Sequence, residues 1–206
     1  MPDSTATIRV DRKQEILMAL AEMLEAAPDT RITTARLASR VGVSEAALYR
    51  HFPSKSTMYA GLLTFTEDTL FGLIGRLPSE QPGALNQCQG LLRLYLEFCE
   101  KNPGITRLLT GRALTGESQR LHQQVDQVYE RLEIQLKQYL REAELREGLR
   151  TCLPVATAAN LLMSAAEGRV SQYCRSDFRR RPTEGWSDQW AQLAAGLMKP
   201  AGIASP

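Results

Sequence analysis

Apolar residues at Ile16, Leu17, Leu20, Met23, Leu24 and Ala27 recur at three- and four-residue intervals. That period predicts a helix over Arg9–Ala27 with one buried face, ended by Pro28 and Asp29. Thr33 and Thr34 then offer hydroxyl caps for a short helix over Ala35–Val41. Gly42 and Val43 read as a turn, and Ser44 caps a second short helix. Pro53 and Ser54 interrupt the pattern again, after which Lys55–Leu77 reads as a long connecting helix.

Past a loop at Pro78–Gly83, the residues Ala84–Lys101 are strongly apolar, and Asn102, Pro103 and Gly104 stop them before a short helix near Ile105–Ala113. A long charged helix over Glu117–Glu147 carries Leu121, Val125, Val128, Leu132, Leu136 and Leu140 as its inward stripe. This repeat fits a packed globular helix better than a coiled coil. Pro154 opens a helix to Cys174 rich in small residues (Ala156, Ala158, Ala159, Ser164, Ala165, Ala166, Gly168), and Trp186–Met198 makes one more. Small residues let helices approach closely, so these last two are either a two-fold dimer interface or an internal pair. The whole reads as an all-α protein. A three-helix head with a helix-turn-helix occupies residues 1–54, and a helical body over 55–206 dimerises through its last two helices and carries partner-binding surface.

With 206 residues the chain has ample material for a core. Its formal charge is only +2, so a global basic excess cannot argue for a nucleic-acid partner. The distribution does. Arg31, Arg36, Arg40, Arg50 and Lys55 stand against Glu45 alone between positions 31 and 60, a local patch of the kind phosphate attraction requires. Cys88, Cys99, Cys152 and Cys174 lack the close spacings of zinc or redox sites and read as buried thiols. The amino terminus does not resemble a signal peptide, and no apolar run is long enough to span a bilayer. A cytoplasmic protein without a membrane partner is expected.

Within the helix-turn-helix, Leu37, Val41, Val43 and Leu48 are expected to form the shared core, with Ala38 small where the helices cross and Gly42 at the turn. Ser44, Glu45, Ala46, Tyr49 and Arg50 are then left on the outer side of the second helix, facing the major groove. Ser44, Thr33 and Thr34 suit phosphate at helix starts. Glu45 can accept from a cytosine amino group and Ala46 can touch a thymine methyl. Arg50 can read guanine or bind phosphate. Tyr49, His51 and Lys55 are phosphate-contact candidates, with Phe52 packed beneath them.

This head, closed by Leu48–Lys55, resembles the TetR family of dimeric DNA-binding regulators, and more narrowly its nucleoid-occlusion branch. The resemblance is carried by Arg31–Ala35, Gly42–Lys55, Asn102–Arg107, Leu109–Gly111 and Arg175–Thr183. It implies a homodimer that binds near-palindromic double-stranded DNA sites on the nucleoid and, when bound, engages the tubulin-like division GTPase FtsZ to block ring assembly. It further implies a partner surface where the connecting helix meets the next, at Phe65, Leu94, Lys101 and Asn102. An apolar groove rimmed by cations suits an acidic, partly apolar peptide. For Phe65 and Leu94 the alternative is simple core. Two positions depart from the pattern: Leu73 replaces an expected basic residue and Glu97 an expected small one, with Arg76 nearby as a substitute cation.

The alternative function is a TetR-type repressor controlled by a small apolar ligand in the body. An enzyme has little to work with. His51 and His122 are the only histidines, and Glu130, Glu133, Glu142, Glu144 and Glu147 read as a solvated helix face. Neither a cofactor nor a metal is expected.

Overall fold

The computed structural model describes residues 11–26 and 32–201. The expected beginning of the first helix at Arg9, its end at Ala27, its stop at Pro28 and Asp29, and the cation Arg31 lie outside the described residues.

Among the described residues ten helices follow one another: α1 (Arg12–Ala26), α2 (Thr34–Val41), α3 (Glu45–His51), α4 (Lys55–Ile74), α5 (Leu77–Glu80), α6 (Ala84–Lys101), α7 (Pro103–Leu109), α8 (Gln119–Arg146), α9 (Val155–Arg175) and α10 (Trp186–Ala195), with a 3-10 turn at Arg112–Leu114. Several expectations are corrected: the connecting helix ends at Ile74 and not Leu77, and the helix expected near Ile105–Ala113 is Pro103–Leu109 followed by the 3-10 turn. The stretch read as a loop at Pro78–Gly83 begins with helix α5, because Pro78 falls in the first turn, where its missing N–H costs nothing. The last helix stops at Ala195, not Met198. Met198–Pro200 instead pairs antiparallel with Leu149–Thr151, so a two-stranded ribbon (β1 Leu149–Thr151, β2 Met198–Pro200) interrupts the otherwise helical chain. Cys152 is exposed, in the turn that follows β1, while Cys88, Cys99 and Cys174 are buried as expected.

The inward stripe of α8 is as the spacing predicts: Leu132, Leu136 and Leu140 are fully buried. They meet Leu62 and Leu63 of α4 and Leu91, Leu92 and Leu96 of α6 in one core that continues into the amino-terminal helices. Each fully buried leucine contributes about 1.5–3 kcal/mol. In α9 the small residues split: Ala158, Ala159 and Ala166 are buried toward α6 and α8, whereas Ser164 and Gly168 face outward beside a half-exposed Leu161. Arg169 fastens α9 to the end of the chain, donating to the Pro182 and Glu184 carbonyl oxygens and to Gln189 of α10.

The amino-terminal helices join the body through α1 against α7. Gly104 is what lets them meet, since a Cβ at that position would stand 1.9 Å from the Ala21 carbonyl oxygen. A second close approach lies at Gly61 of α4, against the Phe52 ring.

Candidate nucleic-acid interface

The turn between α2 and α3 is built from the backbone upward. Gly42 sits in the left-handed region (φ 75°, ψ 35°), and the Gly42 and Val43 N–H groups return to the Ser39 and Ala38 carbonyl oxygens at 3.2 and 3.0 Å. These bonds satisfy the carbonyls that a helix end leaves free. Leu37, Ala38 and Leu48 are buried where the two helices cross, and Val41 and Val43 pack half-buried against them. Ser44 caps α3, accepting from the Ala47 N–H at 3.2 Å, and Thr33 caps α2 by accepting from the Arg36 N–H at 3.3 Å.

With Leu48 facing inward, Ser44, Glu45, Ala46, Tyr49 and Arg50 form the exposed face of α3, and His51 is half-buried at its end. Part of this surface is already organised by side-chain bonds. The Thr34 hydroxyl donates to Glu45 at 2.8 Å, and the Tyr49 hydroxyl donates to Thr34 at 3.3 Å. The starts of α2 and α3 are thus tied together, and the Glu45 carboxylate is aimed before any ligand arrives. Arg40, one of the local cations, is paired with Glu22 of α1 at 2.6 Å.

Lys55 opens α4 behind a capping box. Ser54 accepts from the Thr57 N–H at 3.1 Å, and the Thr57 hydroxyl accepts from the Ser54 N–H at 3.0 Å. The Lys55 ammonium donates to Glu117 at 2.8 Å. Desolvation opposes its charge, but the Glu117 hydrogen bond and neighbouring charges outweigh that and raise its pKa above the ordinary lysine value. Sequence reasoning missed Glu117. The two residues lie 62 positions apart and no motif links them.

The four residues of the expected partner surface do not share one cleft. Leu94 lines a groove of about 240 Å³ between the end of α4, α5 and α6, with Leu73, Leu77, Arg76, Arg93 and Glu97. Lys101 lines a second cleft of about 490 Å³ between α6 and the start of α10, with Arg93, Glu97, Glu100, Thr183 and Trp186. Asn102 is spent locally, donating to the Phe98 carbonyl oxygen at 2.8 Å. Phe65 is half-buried against the core. Glu97, the unexpected acid, is paired with Arg93 at 2.7 Å, and Arg76 lines the groove that Leu73 makes less basic. Arg93 is a further lining residue that its sequence context did not mark.

Among the described residues no group of three or more His, Cys, Asp or Glu side chains is placed to hold a metal, and no helix is long and apolar enough to cross a membrane.

Two family models match the chain. Residues 16–62 match the tetR family of bacterial regulatory proteins, and residues 83–198 match the tetracyclin repressor-like, C-terminal domain of the SlmA-like type. The nucleoid occlusion factor SlmA of Marinomonas sp. is 50% identical over 188 residues, 91% of this chain and 95% of the relative. That of Alteromonas mediterranea is 52% identical over 186 residues, covering 90% and 95%. Among solved structures, a TetR transcription regulator from Haloarcula marismortui superposes with a TM-score of 0.74 at 18% identity, covering 92% of this chain and 99% of the other. The TetR family regulator PfmR of Thermus thermophilus does so with 0.70 at 21% identity, covering 88% and 97%. At these identities the structures speak to the fold alone.

Proposed function

The chain belongs to the TetR family and, within it, to the SlmA nucleoid occlusion factors, and on that premise we propose that it is a DNA-bound inhibitor of cell division. Bound to near-palindromic chromosomal sites, it engages FtsZ and blocks ring assembly over the nucleoid, without chemistry of its own. The observation that carries this reading is the length of the likeness. About half of all positions match over nine-tenths of the chain, so the similarity includes the body and not only a widely shared head.

Thr33, Thr34, Ser44, Glu45, Ala46, Tyr49, Arg50, His51 and Lys55 form the DNA-contacting set. Glu45 and Ala46 touch base edges, and the hydroxyls and Lys55 hold phosphate. Two copies join through α9 and α10, where Leu161 stands 44% exposed in the single chain. The dimer sets its two α3 helices roughly 34–36 Å apart, one in each successive major groove. FtsZ docks on α6. Leu94 and its apolar neighbours supply the floor, Arg76, Arg93 and Lys101 the cations, and Phe65 and Asn102 support the helix from behind. On this reading the protein works in the cytoplasm, on the nucleoid.

The rival reading, a ligand-controlled repressor, requires an apolar chamber in the body. The space between α4, α6 and α8 is filled instead by Leu62, Leu63, Leu91, Tyr95, Leu132 and Leu136, all fully buried. Genome-wide occupancy separates the two. Sites spread around the chromosome but sparse near the replication terminus are expected, whereas a single site in a neighbouring promoter contradicts the proposal.

A further inference from the structure

Lys55, the first residue of α4, is held by an acid 62 positions away in the chain. Its ammonium donates to the Glu117 carboxylate at 2.8 Å and stands over the Tyr59 ring, 5.1 Å from its centre. The two side chains are only 30% and 18% exposed, so solvent screens the pair less than it would a surface ion pair. One positive charge therefore already has its anion. A DNA phosphate hydrogen-bonded to the same ammonium would stand roughly 5 Å from the carboxylate, a distance at which two like charges repel strongly in a half-buried setting.

Glu117 belongs to the segment that links α7 to α8. Gly111 and Gly116 both have positive φ (74° and 78°), with open space around their α-carbons. They bracket the 3-10 turn Arg112–Leu114, whose Leu114 is fully buried and anchors the segment in the core. Downstream the Glu117 N–H donates to the Leu114 carbonyl oxygen at 2.9 Å. Upstream lies α7, the helix that carries α1 through Gly104 and follows directly on α6. A change in this segment therefore reaches the joint between the amino-terminal helices and the body.

We propose that Glu117 and the DNA backbone compete for Lys55, so that DNA binding frees Glu117 and loosens the segment from Gly111 to Ser118. The inference rests on Lys55 being a phosphate contact. DNA occupancy is in this way sensed by the body, and linkage makes the effect reciprocal: whatever steadies the Lys55–Glu117 pair weakens DNA binding. Glu117 thus acts as a brake on the amino-terminal helices, one that DNA releases.

The test uses the full-length protein and a fluorescein-labelled duplex of arbitrary sequence, since a phosphate contact needs no operator. Affinity is measured by anisotropy over a range of salt for the parent, Glu117→Gln, Lys55→Ala and the double variant. Amide hydrogen exchange of residues 111–118 is followed with and without DNA. Glu117→Gln is expected to bind about threefold to tenfold tighter, and Lys55→Ala to bind more weakly with a salt slope flatter by about 0.9 per protomer, about 1.8 for the bound dimer. The gain from Glu117→Gln disappears in the Lys55→Ala background. Exchange at 111–118 rises on DNA addition in the parent and is already fast in Glu117→Gln. If Lys55→Ala flattens the slope but Glu117→Gln binds equally or more weakly, competition is overturned while the phosphate contact stands. If Lys55→Ala leaves the slope unchanged, the phosphate contact itself fails and the inference with it. Should Glu117→Gln not fold, the parent decides alone: unchanged exchange at 111–118 under saturating DNA overturns the proposal.

Discussion

The Thr34 hydroxyl donates to the Glu45 carboxylate at 2.8 Å, joining the first turn of α2 to the first turn of α3. Eleven positions separate them in the chain, and each alone reads as an independent groove or phosphate contact. Together they form one unit, with Tyr49 donating to Thr34 behind them. Thr34→Val keeps the shape and removes the bond. Its expected effect is a loss of about threefold to tenfold in affinity for an operator, with the salt slope unchanged, because the hydroxyl orients Glu45 and is itself uncharged, so its removal changes no counterion release. Anisotropy titrations of the two proteins check this.

Two glycines separate two kinds of backbone demand. At Gly42 an added Cβ meets nothing within 4 Å, so Gly42→Ala is charged only for its positive φ. That cost is about 1 kcal/mol. At Gly104 the conformation is ordinary helix but the space is absent, with the Ala21 carbonyl oxygen 1.9 Å from a Cβ. Gly104→Ala must push α7 off α1 and is expected to cost about 3 kcal/mol or more. Urea denaturation of both variants, read for midpoint and slope, gives the order.

The groove on α6 predicts a separation of functions. Leu94→Glu places an acid among Leu73, Leu77, Arg76 and Arg93, away from every residue of the DNA-contacting set. DNA affinity is expected to stay within about twofold of the parent, while inhibition of FtsZ assembly is lost. Gel shift and light scattering on the same preparation check both halves.

Burial sets the thiol chemistry. Desolvation pushes Cys88 and Cys99 up to about 12 from the ordinary 9.0, and it raises the Tyr95 hydroxyl in the same direction. These groups stay protonated in the folded chain at pH values where the unfolded chain ionises them. Their contribution to stability is therefore intact below pH 9 and declines as pH climbs from there toward 12, by up to about 1.4 kcal/mol per pH unit for each thiol. Urea midpoints under reducing conditions should hold from pH 7 to 8.5 and then fall. In the native protein a thiol reagent at pH 8 should modify Cys152, the exposed cysteine, well before Cys88 or Cys99.

The limits of α6 are legible because Gly83 and the Asn102–Pro103 pair bracket a stretch whose apolar residues recur at helical spacing. The crossing of α2 and α3 is legible because a short period, two hydroxyl caps and a glycine all demand the same turn. What sequence periodicity cannot reach is pairing between distant segments. The ribbon of Leu149–Thr151 with Met198–Pro200 is three residues long on each side, too short to show an alternation, and the exposed Cys152 follows directly on it. The same limit hid Glu117. Its partner is chosen by the way α4 and α8 pack, which no local spacing records. Of the partner surface, Leu94 is named by likeness, with simple core as its alternative, and it lies half-buried on the wall of the groove. Lys101 was grouped with it by likeness but faces a separate cleft across the Arg93–Glu97 ridge.

Light scattering from purified FtsZ assembling with GTP tests the central claim most directly. The protein is added alone, with a specific duplex recovered from its chromosomal sites, and with a scrambled duplex of equal length. Strong loss of scattering with the specific duplex, and little with the other two, is the predicted result. Assembly that proceeds untouched in the presence of the protein and its specific DNA contradicts the account.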